Sequence, residues 1–293
     1  MSSAVLKLAL GSANFGLNYG LTNDYSKISQ VELIKILREA EVARIKIIDT
    51  AQAYGDSEVR VGAAINAKFH IVTKISVNCD KDYIENSVRR LVQNSCKRLR
   101  QSHLHAVLLH RPEVLLGEFG DRIIAELKCL KDDNIVSKIG ISIYSPDILS
   151  EISQLISLDI VQAPFNIFDQ RIQSSGWAER LKYNGTEIHT RSAFLQGLLL
   201  MRQSKLNPYF TKNWPKLFNA WHEFIKTSGS DPVSTALSFA LNQPWIDNVV
   251  VGVDTVAQLK SLVNIEKSLC PMIFPNMKCD DERLLDPSKW MLV

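Results

Sequence analysis

Residues 105–142, HAVLLHRPEVLLGEFGDRIIAELKCLKDDNIVSKIGIS, decide the fold. They open on an apolar run, His105 to Leu109, and close on a second strand-like run, Ser137 to Ser142. Between them Phe119, Ile123, Ile124, Leu127 and Leu130 recur at three- and four-residue intervals, which predicts a helix with one apolar face. A continuous apolar run suits a strand buried on both faces, and two parallel strands need a crossover of a dozen or more residues, usually a helix. The stretch therefore reads as a strand–helix–strand unit of a parallel sheet.

The unit repeats in both directions. Further runs at Leu6 to Leu10, Ile45 to Ile48, His70 to Lys74, Asp159 to Ala163, Glu187 to Arg191 and Asn248 to Gly252 bring the strand count to eight. Ser29 and Glu32 form a capping box ahead of a stripe at Val31, Ile34, Leu37 and Ala40, predicting a helix between Ser29 and Ala43. Ile84, Val88, Leu91, Val92, Cys96 and Leu99 predict another. Ser145-Pro146 and Asp231-Pro232 each place a cap residue before a first-turn proline. Val256, Leu259, Leu262 and Val263 mark a helix after the last strand. Eight strands alternating with helices, without a Pro-, Gly- or Ser-rich linker, predict a single (β/α)8 TIM barrel over 1–293. The long connection 198–229, with Trp214, Phe218 and Trp221, and the aperiodic tail 270–293 are elaborations. The three aromatics at helical spacing read first as a satellite core under that connection and second as a lid. A doubly wound sheet is disfavoured because Gly11, Gly16 and Gly20 do not have the G-x-G-x-x-G spacing, and no P-loop occurs.

Composition narrows the function. The 293 residues carry 34 Lys+Arg against 31 Asp+Glu, a net charge of +3 with no long basic run, which argues against nucleic acid and anionic membrane as partners. No window of 18 apolar residues occurs, and the apolar run near the N-terminus is too short for a signal peptide, so a cytoplasmic protein is expected. Cys79, Cys96, Cys129, Cys270 and Cys279 are odd in number, widely spaced and never C-x-x-C, predicting free and mostly buried thiols.

Barrel chemistry is built at the carboxyl ends of strands. In order those ends offer Gly11 and Ser12, Asp49 and Tyr54, Lys74, His110, Ser142, Gln162 and Asn166, Arg191 and Ser192, and Gly252 and Asp254. Asp, Tyr, Lys and His at three consecutive mouths have an acid–base logic. An ammonium beside a phenol stabilises the phenolate, a carboxylate fixes the ammonium, and an imidazole can hold a substrate oxygen. An ordinary Asp49–Lys74 ion pair with Tyr54 as a rim aromatic satisfies the same spacing. His103, His105 and His110 look like a metal cluster, but their positions along one strand do not converge, and no metal is expected.

The segment Ile47–Gly62, IIDTAQAYGDSEVRVG, resembles the D-T-A-x-x-Y-G-x-S-E-x-x-x-G signature of the aldo-keto reductases. Lys74 in IVTKI and His110 in VLLHRPE resemble the family's strand-three lysine and strand-four histidine. The likeness continues through GISIYSP, VQAPFNIFDQR, RSAFLQGLL, VVVGVDTVAQL and LLDPSKW, in order, across essentially the whole chain. It implies metal-free, NAD(P)H-dependent reduction of a small-molecule aldehyde or ketone to an alcohol. Asp49, Tyr54, Lys74 and His110 would be the catalytic set, with Tyr54 donating the proton. Ser142 and Gln162 would hold the nicotinamide carboxamide, and Ser192, Gly252, Val253, Asp254 and Gln258 would follow the rest of the cofactor. The alternative is a catalytically weak barrel that binds the cofactor as a regulatory or interaction module; an intact proton-donor set favours the enzyme.

The chain departs from the family pattern at three places. Ile143 follows Ser142 where Asn is typical. Arg191 stands where an aromatic commonly stacks on the nicotinamide; a planar guanidinium also stacks, and its charge disfavours the oxidised ring. The last strand end offers Asp254, with Leu262 further on, and no cation for an adenosine 2′-phosphate, so NADPH is expected from family frequency and NADH is also admitted. Phe15, Asn18 and Tyr19 after the first strand are expected to line the pocket, and their polar-aromatic segment NFGLNYGLTN suits a sugar-like carbonyl.

Overall fold

The computed structural model describes residues 6–18, 20, 27–65, 69–78, 84–270 and 272–291, with 84–87 described by backbone alone. Eight parallel strands, β1 (Leu8–Gly11), β2 (Ile47–Asp49), β3 (His70–Ile75), β4 (Leu104–Leu109), β5 (Val136–Ser142), β6 (Ile160–Pro164), β7 (Glu187–Arg191) and β8 (Asn248–Gly252), close into a barrel in sequence order. The closure is the β1–β8 pairing, which runs from Leu8 opposite Val249 to Gly11 opposite Gly252. Every strand expected from the sequence is present within two residues of its expected ends.

The core has two parts. Inside the barrel, Ala9, Ile47, Val72, Ala106, Leu108 and Ile160 form a small cluster of buried side chains, with Val250 packed against it. The larger cluster lies between the strands' outer faces and the helices, joining Ile48, Val107, Ile141, Val161 and Val251 to residues such as Ile36, Val92, Leu127 and Leu259. Gly140 lets the β5 and β6 backbones approach: a Cβ there would sit 2.1 Å from the Ile160 carbonyl oxygen and 2.8 Å from the Leu108 side chain.

Helices cover the outside at Gln30–Val42, Ser57–Ala64, Ile84–Leu99, Gly120–Asp132, Leu149–Leu155, Trp177–Tyr183, Pro232–Leu241 and Val256–Lys267. The Ser29 cap is made, its side chain accepting from the Glu32 N–H. Asp231 caps Val233 and Ser234 ahead of Pro232 in the same way. The stripe expected on the first of these helices is displaced: Val31 is 63% exposed, and the buried face is Leu33, Ile36, Leu37 and Ala40. The connection 198–229 folds into helices Pro208–Asn213 and Pro215–Ser228. Phe218 and Trp221 are buried there, Trp221 donating to the Leu199 carbonyl. The tail 270–293 returns to the body through buried Met277, Leu284 and Leu285, and through the Cys279 N–H bonded to the Phe168 carbonyl. No described helix is long and apolar enough to cross a membrane.

Two expectations need correction. Cys96, Cys129, Cys270 and Cys279 are free, but Cys129 and Cys270 are exposed and the other two half-buried; Cys79 lies outside the described residues. Cys129 falls between Leu127 and Leu130, off their buried stripe. Phe15 is fully buried in the core instead of lining a pocket, and Tyr19 lies outside the described residues.

Candidate active site

Side chains alternate faces along a strand, so the residue two beyond a lumen position also faces inward. Two beyond Ile47, Val72, Leu108 and Ile160 come Asp49, Lys74, His110 and Gln162, and two beyond Ala9 and Val250 come Gly11 and Gly252. Ser142 pairs with Gln162 in register and shares its face. Arg191 stands two beyond the buried His189, which pairs with Gln162. One rule of register thus gathers a residue from each strand at the carboxyl mouth.

Tyr54 joins them from the turn after β2, and the surrounding motif builds that turn. Gly16 packs against it so closely that a Cβ would lie 1.8 Å from the Tyr54 carbonyl oxygen. Gly55 has φ +58°, and a Cβ there would meet the Gly16 oxygen at 2.5 Å. These positions need glycine for close approach and for a left-handed backbone. Ser57 hydroxyl bonds to the Ser12 carbonyl at 2.9 Å and lies 3.2 Å from the Thr50 hydroxyl. Buried Glu58 accepts from Thr73 and Arg98, each at 2.6 Å. Thr50, Ser57 and Glu58 therefore fasten the Tyr54 turn to β1, β3 and the helix Ile84–Leu99.

The polar groups at the mouth form one connected chain. Lys74 Nζ lies 2.5 Å from Asp49 Oδ1, donates to the Thr50 carbonyl at 3.1 Å, and reaches Tyr54 Oη at 3.4 Å. Gln162 donates to the other Asp49 oxygen at 2.6 Å and accepts from the Ser142 hydroxyl at 3.3 Å. Lys74 and Asp49 are almost wholly buried, at 1% and 4% side-chain exposure. Burial by itself would push the Lys74 ammonium down; the charges of Asp49 and Tyr54 and their hydrogen bonds outweigh it, and the net shift is upward. The ammonium thus stays charged beside the phenol oxygen. His110 lies edge-on to the Tyr54 ring at 6.0 Å between centroids. Burial first, then the charges of Lys74 and Arg191, lower its pKa to about 4, so near neutral pH it is an uncharged imidazole.

A cleft of about 270 Å³ opens over this chain and runs from Asp49 and Tyr54 past Arg191 and Ser192 to Gly252, Asp254 and Gln258. Val253 and Leu262 also line it. Ser142 and Gln162 do not: both are buried beneath it, bonded to each other and to Asp49. The Arg191 guanidinium reaches across β6 to donate to the Ile143 carbonyl at 3.1 Å and stacks over Tyr144 at 4.5 Å. Asn166 holds the next residue by donating to the Ser192 carbonyl at 3.0 Å. Ser192, Leu195 and Gln196 all have positive φ, 64°, 45° and 55°, a cluster of backbone strain of the kind found where a ligand is gripped.

Asn14 is a site residue that sequence reasoning missed. It is buried on the cleft wall and donates to the Val253 carbonyl at 2.6 Å and to Asp254 at 2.9 Å. Its Oδ1 has no partner among the described residues. Asn14 opens the polar-aromatic segment NFGLNYGLTN, in which Phe15, Asn18 and Tyr19 are the more conspicuous side chains. The remaining histidines separate: His103 bonds Asn134 and Ser137 at 2.7 Å each, while His105 stacks on His70 at 4.5 Å near the opposite end of the barrel.

Known proteins resemble this chain in sequence and in fold. The profile of the Aldo/keto reductase family matches residues 7–270. The D-arabinose 1-dehydrogenase of Saccharomyces cerevisiae is 27% identical over 286 residues, covering 88% of this chain and 82% of its own. Aldo-keto reductase YhdN of Bacillus subtilis is 25% identical over 260 residues, covering 79% and 78%. Among solved structures, the holo form of an aldo-keto reductase from Bacillus halodurans superposes with a TM-score of 0.72 at 18% identity, covering 92% of this chain and 89% of that one.

Proposed function

Because the chain belongs to the aldo/keto reductase family, and is an oxidoreductase of that family, we propose that it reduces a small-molecule aldehyde or ketone to the alcohol with NADPH or NADH, Tyr54 giving the proton. The observation that carries the reading is the buried Lys74 ammonium, 2.5 Å from Asp49 and 3.4 Å from Tyr54 Oη, the two groups that present it to an open cleft. A module that only bound the cofactor would have no use for that proton donor.

The residues fit a dinucleotide. At the Gly252 corner an added Cβ would find, among the described residues, only Asn14 Oδ1 within 4 Å, at 3.8 Å, and that buried oxygen has no hydrogen-bond partner among them. Ser192, Gly252, Val253, Asp254 and Gln258 would hold the cofactor along the cleft, with Arg191 bordering its nicotinamide end and Ser142 and Gln162 beneath. When bound, the cofactor supplies the hydride to the carbonyl carbon. Tyr54 donates its proton to the carbonyl oxygen, and the Lys74 ammonium stabilises the phenolate left behind. Asp49 keeps that ammonium charged and aimed, and Gln162 fixes Asp49. Neutral His110 orients the carbonyl oxygen without competing as a charge.

NADPH is the family's usual cofactor, yet the Asp254 corner offers a carboxylate, and Glu32 accepts from the Val256 N–H beside it. A carboxylate accepts a ribose hydroxyl and repels a 2′-phosphate, so NADH is expected to compete. A hydroxylated, sugar-like carbonyl suits the polar side chains of the cleft lining, among them Ser12, Asn14, Ser192 and Gln196, although Phe15 and Asn18 are not part of it, and the yeast relative's name points to a pentose. Four free cysteines suit a cytoplasmic setting, and the chain is read as one barrel domain. The test is absorbance at the reduced-nicotinamide band with a panel of aldoses, uronic acids, sugar phosphates and simple aldehydes, using cofactor deuterated at C4. Deuterium on the alcohol carbon is the expected result; a protein that binds the cofactor and oxidises it with no carbonyl of the panel refutes the reading.

A further inference from the structure

We propose that Arg191 is an anion anchor of the active site, and that the carbonyl substrate carries an oxyanion, a carboxylate or a phosphate, which pairs with its guanidinium. This rests on the reading of Tyr54 as the proton donor. The first observation is a charge balance. At the Tyr54 end of the cleft Lys74 and Asp49 cancel as a buried pair and His110 is neutral near pH 7; the other carboxylate of the lining, Asp254, lies at the far end, where Asn14 donates to it. Arg191 adds a positive charge, and its partners are the Ile143 carbonyl, the Ser192 hydroxyl at 3.3 Å and the face of Tyr144, none of them anionic.

The neighbouring Arg171 shows what a structural arginine looks like here. It is held by Asp169 through Nε at 2.9 Å and Nη2 at 2.8 Å, with Glu282 at 3.7 Å. Arg98 likewise has Glu58. Arg191 is half-buried, lines the cleft and forms no ion pair with a carboxylate among the described residues. Partly desolvated charge is usually paired, and a guanidinium has five donors in a planar fork that matches an oxyanion two bonds at a time. Two of those donors are used here, and both hold the side chain in place.

Position separates substrate from cofactor as the source of the anion. The guanidinium leans across β6 toward the loop after β5, on the side of His110, away from the Gly252–Gln258 end of the cleft. Its charge is felt at His110, the group that faces Tyr54. An oxyanion on a carbonyl held at Tyr54 and His110 therefore falls within its reach. The cofactor phosphates belong nearer the loops after β7 and β8 and the Val256–Lys267 helix, as barrel phosphate sites commonly do.

The experiment compares carbonyls that differ in one ionised terminus: an aldose with the uronic acid of the same configuration, and glyceraldehyde with its 3-phosphate. In the wild type kcat/KM favours the anionic member by about tenfold or more, mainly through KM. Arg191→Lys keeps part of the preference, and Arg191→Gln brings the ratio close to one. The ratio cancels any loss common to both substrates. A wild-type ratio near one overturns the proposal, and so does an Arg191→Gln variant that loses affinity for the reduced cofactor by fluorescence titration while its ratio is unchanged. A second readout needs no turnover. Malonate or inorganic phosphate, added with reduced cofactor, raises the melting temperature of the wild type and not of Arg191→Gln; equal shifts overturn the proposal. A wild-type-only shift in an enzyme that reduces nothing upholds Arg191 as the anchor and counts against Tyr54 alone.

Discussion

The same strands carry one ionic cluster at each end of the barrel. β3 has Lys74 at the mouth and His70 at the base; β7 has Arg191 at the mouth and Glu187 and His189 below it. At the mouth the Lys74–Asp49 pair is almost wholly buried and bonded on both carboxylate oxygens, and it borders a cleft through Asp49 and Tyr54. At the base Lys138 and Glu187 lie 2.5 Å apart but remain 27% and 32% exposed. There the His70–His105 stack is partly wetted, and buried His189 keeps Nδ1 without a partner. Close pairing is common to both ends. What distinguishes the mouth is that the pair acts on a third group, a proton donor that faces empty space.

That contrast is broken or sharpened by substitutions at the two ends. Tyr54→Phe at the mouth should lower kcat/KM by roughly 10²–10⁴-fold with reduced-cofactor affinity nearly unchanged; steady-state kinetics beside a fluorescence titration checks both. Removing one partner of the buried pair, as in Lys74→Met, leaves Asp49 buried and uncompensated and should cost about 3–5 kcal/mol in chemical denaturation. Asp254→Arg, at the far end of the cleft, should shift the NADPH/NADH ratio of kcat/KM toward NADPH by about tenfold, the effect of one added charge–phosphate contact. At the base, Glu187→Gln should cost about 1 kcal/mol, because the pair is partly solvated, and leave kcat/KM within about twofold. A base substitution that removed activity without unfolding the barrel would erase the distinction between the ends.

Acid acts on two groups of the base cluster with the same sign. Burial, then Lys138 and His70, depress the His105 pKa from 6.5 to about 4. The bond from His189, offset by burial and reinforced by Lys138, holds the Glu187 carboxyl at about 2 instead of 4.5. Each group binds its proton more weakly folded than unfolded, so its contribution is whole above the ordinary pKa and is lost as pH falls through the folded one. Stability should decline between about pH 6.5 and 4 through His105, and between 4.5 and 2 through Glu187. Denaturation midpoints against pH should show the first decline reduced in His105→Gln.

Much of this was legible in the chain because the eight strand runs and the residues ending them obey a two-residue period. Asp49, Lys74, His110, Ser142, Gln162, Arg191 and Gly252 all arrive at the mouth for that reason. Contacts made by shape were not legible. Ser142 and Gln162 have the expected register, yet their hydrogen bonds turn downward to Asp49, a choice that sequence order does not encode. The short helix Ser57–Ala64 was hidden inside the Tyr54 motif, whose Ser57, Glu58 and Gly62 serve packing: a Cβ on Gly62 would lie 2.3 Å from the Arg98 carbonyl oxygen. The base cluster had a readable signal, polar residues at inward positions of β3, β5 and β7, but the histidines of β4 drew attention as metal ligands. Val31 misled because an apolar residue in the first turn of a helix can face solvent without breaking the stripe behind it.

The central claim is that Asp49 and Lys74 act through Tyr54 as one unit. A double-mutant cycle with Tyr54→Phe and Lys74→Met, read as kcat/KM at saturating reduced cofactor on variants shown to be folded, tests it most directly. The double variant should be no slower than Tyr54→Phe alone, since Lys74 has no catalytic task once the phenol is gone. Losses that multiply, the double variant slower by the product of the two single effects, would contradict it.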